Sequence, residues 1–418
     1  MNKIKNIVVV VDSIDVDDSS GSKVNVALIQ NLQTLGYHIE VFHYTRKDIQ
    51  LRGVVCHSIK EKKYNLKYLL SRSQRVFTRF TKININRFIE GIIGFSFTFF
   101  NDVDSIRSFV LNNLKKQPDL IITLSKGASF RPHYALLKLP KFHDKWLAYV
   151  HDPYPFHCYP APYDWFEPGY KIKEAFFRGV SEKSKFSAFP SQLLKQWMGK
   201  YFPNFLETGF IIPHQYSSDF EDKSIEFPDF FETDKFTLMH AGNLMNTRPP
   251  IPLIKAYKEF LNICPEAKDN SRIYLLGNVN FYKDEIKKET KDLPQFYCSY
   301  GDLSYDVVNK MQKYISVGLI MESKGVISPF LPGKFSSCVM SDKMILHLGP
   351  KNSEIRRLLG EDYPYMAEID NVDLISKLIV ELYNHWKNDN QMNLNRTDLK
   401  LYVGTDYLED QINTFVFN

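Results

Sequence analysis

Two cations in the second half of the chain stand where a phosphate could be gripped. Arg248 closes the turn HAGNLMNTRPP (His240 to Pro250), and Lys334 closes SPFLPGK (Ser328 to Lys334). Arginine holds phosphate oxygens through a planar two-pronged fork, and lysine adds a compact charge. Each cation sits at a turn that feeds a helix, and helix-start amides attract anions. Gly242 and Asn243 shape the first of these turns. Together the two segments describe a clamp for a diphosphate.

The first half carries its own unusual stretch, HDPYPFHCYPAPYDWFEPG (His151 to Gly169). It follows a run that reads as a buried strand, so His151 and Asp152 are expected at that strand's carboxyl end. Proline stiffens the loop, and Tyr154, Tyr159, Tyr163 and Trp165 can stack on sugar rings. A polar pair on a rigid aromatic loop is a preorganised site. The plainer reading is a structural loop whose histidine caps a neighbour. Gly21, in DDSSGSK, would let a ligand approach the following helix, or simply make a turn. No GxGxxG fingerprint accompanies it, so dinucleotide binding has no support. The tripeptide DVD occurs at Asp15–Asp17 and at Asp102–Asp104. It could chelate a metal, but matches this short arise by chance, and no metal site is expected.

The elements that position these residues are legible as alternating strands and helices. Asn6 to Asp12 reads as a first strand, Val24 to Leu35 as a helix, and HIEVFHY as a second strand. Strand signals recur at PDLIITLS and WLAYVHD, and KFSAFPSQLLKQWMGKY reads as a short strand and a helix starting near Ser191. The chain then turns polar and acidic from residue 217 through Asp234, a candidate linker. A second series follows: FTLMHAGNL, the helix PIPLIKAYKEFLN, SRIYLLGN, QFYCSYG, SVGLIME and KMILHLG. The expected fold is α/β, with two Rossmann-like domains facing a central cleft. Their expected extents are 1–213 and 214–396, with a C-terminal helix (397–418) packing back on the first. In such sheets ligands sit at the carboxyl ends of the strands.

A chain of 418 residues exceeds one compact core, which also favours two domains. Its hydrophobic content of 44% and charged content of 24% are ordinary for a globular protein. Five dispersed cysteines give neither a disulfide framework nor zinc-ligand spacing, and fit a reducing cytoplasm. The N-terminal apolar run is too short for a signal peptide. The longest later one, Gly91 to Phe100, is half of a membrane span. The net charge of +5 is uneven: nine basic residues against one acid fall between Lys60 and Arg87, interleaved with Tyr64, Tyr68, Leu69, Leu70, Phe77 and Phe80. Such a segment suits an anionic membrane surface or, more plainly, a solvated basic face. Nucleic acid is not expected as a partner, because no recognition motif is present.

The first-strand loop with Gly21, HDPYP, AGNL with its downstream arginine, LLGN, YGDLS and SPFLPGK together resemble the GT-B glycosyltransferases, specifically the large retaining group called family 4. SPFLPGK is the most specific piece, similar to a Ser-Pro-Phe-x-Pro-Ser-Lys segment of a bacterial surface-glycan subgroup. The resemblance implies that Arg248 and Lys334 hold the diphosphate of a nucleotide-sugar donor, UDP foremost. It places His151 against the donor sugar, Tyr300 beside the base through its backbone, and the acceptor in the N-terminal half. The acceptor would be a glycan or a lipid-linked glycan. No metal or other cofactor is implied, since two cations and helix amides would neutralise the leaving phosphate. Domain closure would exclude water.

One feature departs from the family. A glutamate that usually bonds the ribose aligns with Ser337, and its companion eight residues earlier aligns with Pro329. Glu322, at the preceding strand end, is the candidate to compensate. The departure keeps a non-catalytic scaffold open as a second reading, with a nucleotide-sugar epimerase as a third.

Overall fold

The computed structural model describes residues 5–114, 116–216, 225–389 and 392–417. The linker expected from residue 217 falls in part outside these residues. The chain forms two compact units. One comprises Met1–Tyr159, Tyr163–Ser217 and Thr405–Asn418; the other comprises Pro160–Pro162 and Ser218–Gly404.

The first unit is built on a seven-stranded parallel sheet. Its strands are β1 (Asn6–Val11), β2 (His38–His43), β3 (Val55–Ser58), β4 (Leu120–Leu124), β5 (Trp146–Tyr149), β6 (Phe186–Phe189) and β7 (Gly209–Ile211). They lie in the order β3-β2-β1-β4-β5-β6-β7. The run NIVVVV is buried at every position after Asn6, and LIITL is buried throughout. Continuous burial rather than alternation marks a parallel sheet covered on both faces. Its first four helices are α1 (Ser20–Thr34), α2 (Leu66–Thr81), α3 (Asn86–Ile93) and α4 (Phe97–Asn113).

Helix α1 begins four residues earlier than apolar spacing predicts. Its start is fixed by a polar cap that periodicity does not register: the Ser19 hydroxyl accepts from the Ser22 amide at 3.1 Å. Ser191 caps the helix Gln192–Tyr201 in the same way, accepting from Leu194 N at 3.0 Å. Ser191→Ala should lower stability by about 1 kcal/mol, read as a shifted urea midpoint at unchanged slope. A midpoint that does not move would remove the cap from this account.

The second unit carries β8 (Phe236–Ala241), β9 (Ser271–Leu276), β10 (Phe296–Cys298), β11 (Val317–Met321), β12 (Ile327–Ser328), β13 (Met344–Leu348), β14 (Asn352–Ser353) and β15 (Met366–Ala367). Six of these form a parallel sheet in the order β10-β9-β8-β11-β13-β15, and β12 pairs with β14 apart from it. The order reverses between β8 and β11, which makes that pair the topological switch point. The helix Gly333–Met340 packs close to β11 because Gly318 has no side chain: a Cβ there would lie 2.4 Å from Cys338 Sγ. This contact brings the first turn of that helix, and with it Lys334, to the switch point.

Candidate functional site

In the second unit the switch point holds a histidine flanked by two cations. His240 is the last residue but one of β8 and is fully buried. Its Nδ1 lies 3.2 Å from the Leu319 carbonyl on β11, so this nitrogen carries the proton and donates. The other ring nitrogen, Nε2, is then an acceptor, and Lys334 Nζ sits 3.2 Å from it. Burial holds the imidazole far below its usual pKa, and the charges of Lys334 and Arg248 push the same way. His240 is therefore neutral and can orient the ammonium without repelling it.

Lys334 is under similar pressure. Burial first, and the Arg248 charge second, bring its ammonium down from 10.5 to about 7. Arg248 is half-buried, and its Nε is buried with no partner. Among the described residues neither cation has a carboxylate partner. Two like charges brought together without a carboxylate among the described residues could receive an anion with two charged oxygens. The backbone is cut to fit: at Gly242, with φ +144°, a Cβ would come 3.1 Å from Lys334 Nζ. The Arg248 turn is tied to the end of β11 by a Thr247–Ser323 hydroxyl bond of 2.7 Å.

The neighbouring strand ends complete this edge of the sheet. Asn243 Oδ1 accepts from Asn278 N at 2.8 Å, holding the turns after β8 and β9 together. Tyr300, after β10, adopts the left-handed region at φ +50°, which turns the chain sharply at the strand end. Ser337 bonds back to the Gly333 carbonyl at 3.4 Å and remains half-buried.

Glu322 requires a correction. Its carboxylate is 2% exposed, with one oxygen 2.7 Å from His347 Nε2 and the other accepting from Ser328 Oγ at 2.6 Å. Both oxygens are spent inside the unit, so Glu322 does not stand in for the ribose-binding glutamate. It braces β11, β12 and β13 beneath the site. Glu322 is visible in sequence as an acid at a strand end, but its partner His347, 25 positions on, is not.

In the first unit, His151 follows β5 and is 6% exposed. Its Nδ1 lies 3.3 Å from His214 Nε2, while its own Nε2 is buried without a partner. Burial, with His214 and His133 nearby, holds its pKa well below the imidazole range. It is neutral and keeps one ring nitrogen uncommitted. Asp152 beside it is half-buried. The loop that carries them is clamped by Glu167, which accepts from Phe156 N at 3.2 Å and pairs with the buried Lys173.

Of the aromatics proposed to stack on a sugar, Tyr154 is withdrawn. It is 3% exposed and packs on Phe130 and Phe177, as core rather than surface. Trp165 remains exposed. Gly21 lies in the first turn of α1, where a Cβ would come 3.3 Å from Gly127 N. Its lack of a side chain lets that helix start meet the loop after β4. Asp12, at the end of β1, braces this loop by accepting from Lys126 N at 3.1 Å and from the Ser129 hydroxyl. Three of the four acids of the two DVD tripeptides go to cations: Asp15 to Lys47, Asp102 to Arg46 and Arg131, Asp104 to Lys67.

No protein-family model matches the chain, and no curated protein matches it by sequence. Solved structures do match it in three dimensions. A UDP-forming trehalose-phosphate synthase from Burkholderia xenovorans, in complex with glucose-6-phosphate, superposes with a TM-score of 0.63. Identity is 8%, over 99% of this chain and 100% of that one. Anabaena HepE, in complex with UDP and glucose, gives 0.59 at 10% identity, covering 98% of both chains. A glycosyltransferase from Rickettsia africae gives 0.52 at 12% identity, covering 96% of this chain and 98% of that one.

The fold is GT-B. In a GT-B chain the second unit's switch point is one place where an anionic ligand meets strand ends and a helix start together. His240, Arg248 and Lys334 stand there, brought together from separate turns. His240 stands in HAGNL, and the segment by itself assigns it no role. A histidine at the end of a buried strand, next to a glycine turn, is the signal that could have marked it.

Proposed function

We propose that this GT-B chain is a retaining glycosyltransferase of family-4 type. It moves a sugar from a nucleotide-diphosphate sugar, with UDP as the nucleotide, to a glycan or lipid-linked glycan. The reading rests on one observation: Arg248 and Lys334 converge on neutral His240 at the β8–β11 switch point with no carboxylate partner among the described residues. Two structural neighbours add support, one described as UDP-forming and one complexed with UDP and glucose.

In this reading Arg248 and Lys334 hold the diphosphate and neutralise the charge that grows on it as the glycosidic bond breaks. His240 orients the lysine. Gly242 and Asn243 admit the phosphates to the backbone, and the turn at Tyr300 borders the base. His151 meets the donor sugar with its free ring nitrogen, Asp152 lies beside it, and Gly21 lines the approach. No metal is required, because the two cations supply the positive charge.

The test is transfer and donor hydrolysis across a panel of UDP- and GDP-sugars, with wild type beside Arg248→Ala and Lys334→Ala. Turnover that is equal in all three would remove the clamp.

A second reading, a non-catalytic donor-binding scaffold, is favoured by Ser337 and Pro329 standing where the family has glutamates. Calorimetry separates the two: UDP binding without product on any acceptor means a scaffold. Ser337→Glu should tighten UDP binding about tenfold, since a charge-assisted bond to a ribose hydroxyl is worth roughly 1.5 kcal/mol or more. Unchanged affinity would mean the ribose lies elsewhere.

A further inference from the structure

Helix α2 is amphipathic the wrong way round. The residues it turns inward are polar: Ser71 and Gln74 are its two buried side chains. Ser71 bonds Thr98 of α4 at 2.6 Å, Gln74 bonds Asn86, and Lys67 pairs with Asp104. Just ahead of the helix, Asn65 bonds Asn101 at 2.9 Å. The apolar residues Leu66, Leu69, Leu70, Val76, Phe77 and Phe80 recur at helical spacing along one stripe, and that stripe faces outward. Phe80 is 81% exposed and Leu66 70%.

Helix α3 continues the pattern. None of its residues is buried, and Phe88 and Ile92, one turn apart, are both exposed. Among the described residues, ten of the 25 exposed large hydrophobic side chains lie between Tyr64 and Ile92. That concentration is not the scatter of single apolar residues that any surface carries.

Cations border the stripe. Arg72, Arg75 and Arg79 recur three and four residues apart along one flank of α2. Arg72 is paired with Glu61. Lys63, Arg75, Arg79, Lys82 and Arg87 have no carboxylate partner among the described residues. Exposed aromatic and aliphatic side chains bounded by unpaired arginine and lysine match the headgroup–acyl boundary of an anionic bilayer. A second copy of the chain fits less well, because a two-fold contact through this stripe would set the five unpaired cations against their own copies.

We infer that α2 and α3 form a docking surface for an anionic lipid bilayer, with the apolar stripe entering the acyl boundary and the flanking cations meeting phosphate headgroups. The surface lies on helices that contribute nothing to the Arg248–Lys334 clamp, so the inference stands whether or not the transferase reading does.

The experiment is flotation of the full chain with vesicles of phosphatidylcholine containing phosphatidylglycerol, and with phosphatidylcholine alone. Wild type should float with the anionic vesicles, largely stay behind with the neutral ones, and be released by salt. Arg75→Gln/Arg79→Gln/Lys82→Gln should lower the partition coefficient on the order of a hundredfold. Phe77→Ser/Phe80→Ser should weaken binding to a similar degree, with circular dichroism and the unfolding midpoint unchanged because both rings are exposed. UDP binding in solution should be untouched by either variant. Wild type that ignores anionic vesicles, or variants that bind as tightly as wild type, would overturn the assignment. So would a wild-type dimer in sedimentation that Phe77→Ser/Phe80→Ser dissolves.

Discussion

Lys334→Ala should lower kcat/KM for sugar transfer on the order of a thousandfold. Its ammonium would meet a diphosphate whose negative charge grows as the sugar leaves. Removing one such preorganised charge costs most in the transition state. Donor binding should suffer less than turnover. Lys334→Met supplies the control for folding. In the free protein this ammonium is desolvated and faces Arg248, so it costs the fold stability as pH falls below 10.5, and the cost is complete below about pH 7. The methionine variant, similar in length and uncharged, should be at least as stable there as wild type while equally inactive. A thousandfold loss that tracked a lowered unfolding midpoint would point to collapse of the site, and full activity would exclude the lysine from catalysis.

Affinity for a UDP-sugar should fall about tenfold per pH unit above about pH 7, or roughly a hundredfold over two units. The sign follows from the lysine. Free, it holds its proton only up to about 7; between phosphate oxygens its pKa rises. Below 7 it is charged in both states, and binding does not depend on pH. Above 7 binding must take up a proton, and the affinity drops by that linkage.

Its neighbours do not titrate in this window. His240 is held far lower, and the Cys338 thiol is pushed up to about 11. Calorimetry in two buffers of different ionisation enthalpy should show close to one proton taken up per UDP-sugar at high pH. Lys334→Arg, charged throughout, should flatten the profile. A flat profile in wild type would mean that the lysine does not meet the diphosphate.

Much of this protein could be read from the residues alone. Buried parallel strands declare themselves as apolar runs such as IVVVV and VGLIM, and glycine closes several of the strands. Alternation of these runs with helical spacing therefore gave two α/β series, and the turns after the strands gave Arg248 and Lys334. Local chemistry carries that far because each signal lies within one element. Caps were legible too at Ser191, where serine precedes a helical run, but not at Ser19, whose helix starts before its apolar residues do.

Tertiary structure decided what depends on residues far apart in the chain. His240 became the orienting acceptor for Lys334 because β11 runs beside β8 and supplies the Leu319 carbonyl that fixes the imidazole proton. Glu322 looked available as an acid at a strand end. It is not, because β13 places His347 against it and Ser328 closes the other side. Tyr154 looked like a stacking surface and is core, since Phe130 and Phe177 enclose it. The basic segment at Lys60 to Arg87 had shown its charges in sequence. Only packing on α4 revealed that its polar face points inward and its apolar face outward. Spacing gives the two faces of a helix, but which of them is buried is set by the neighbour it meets.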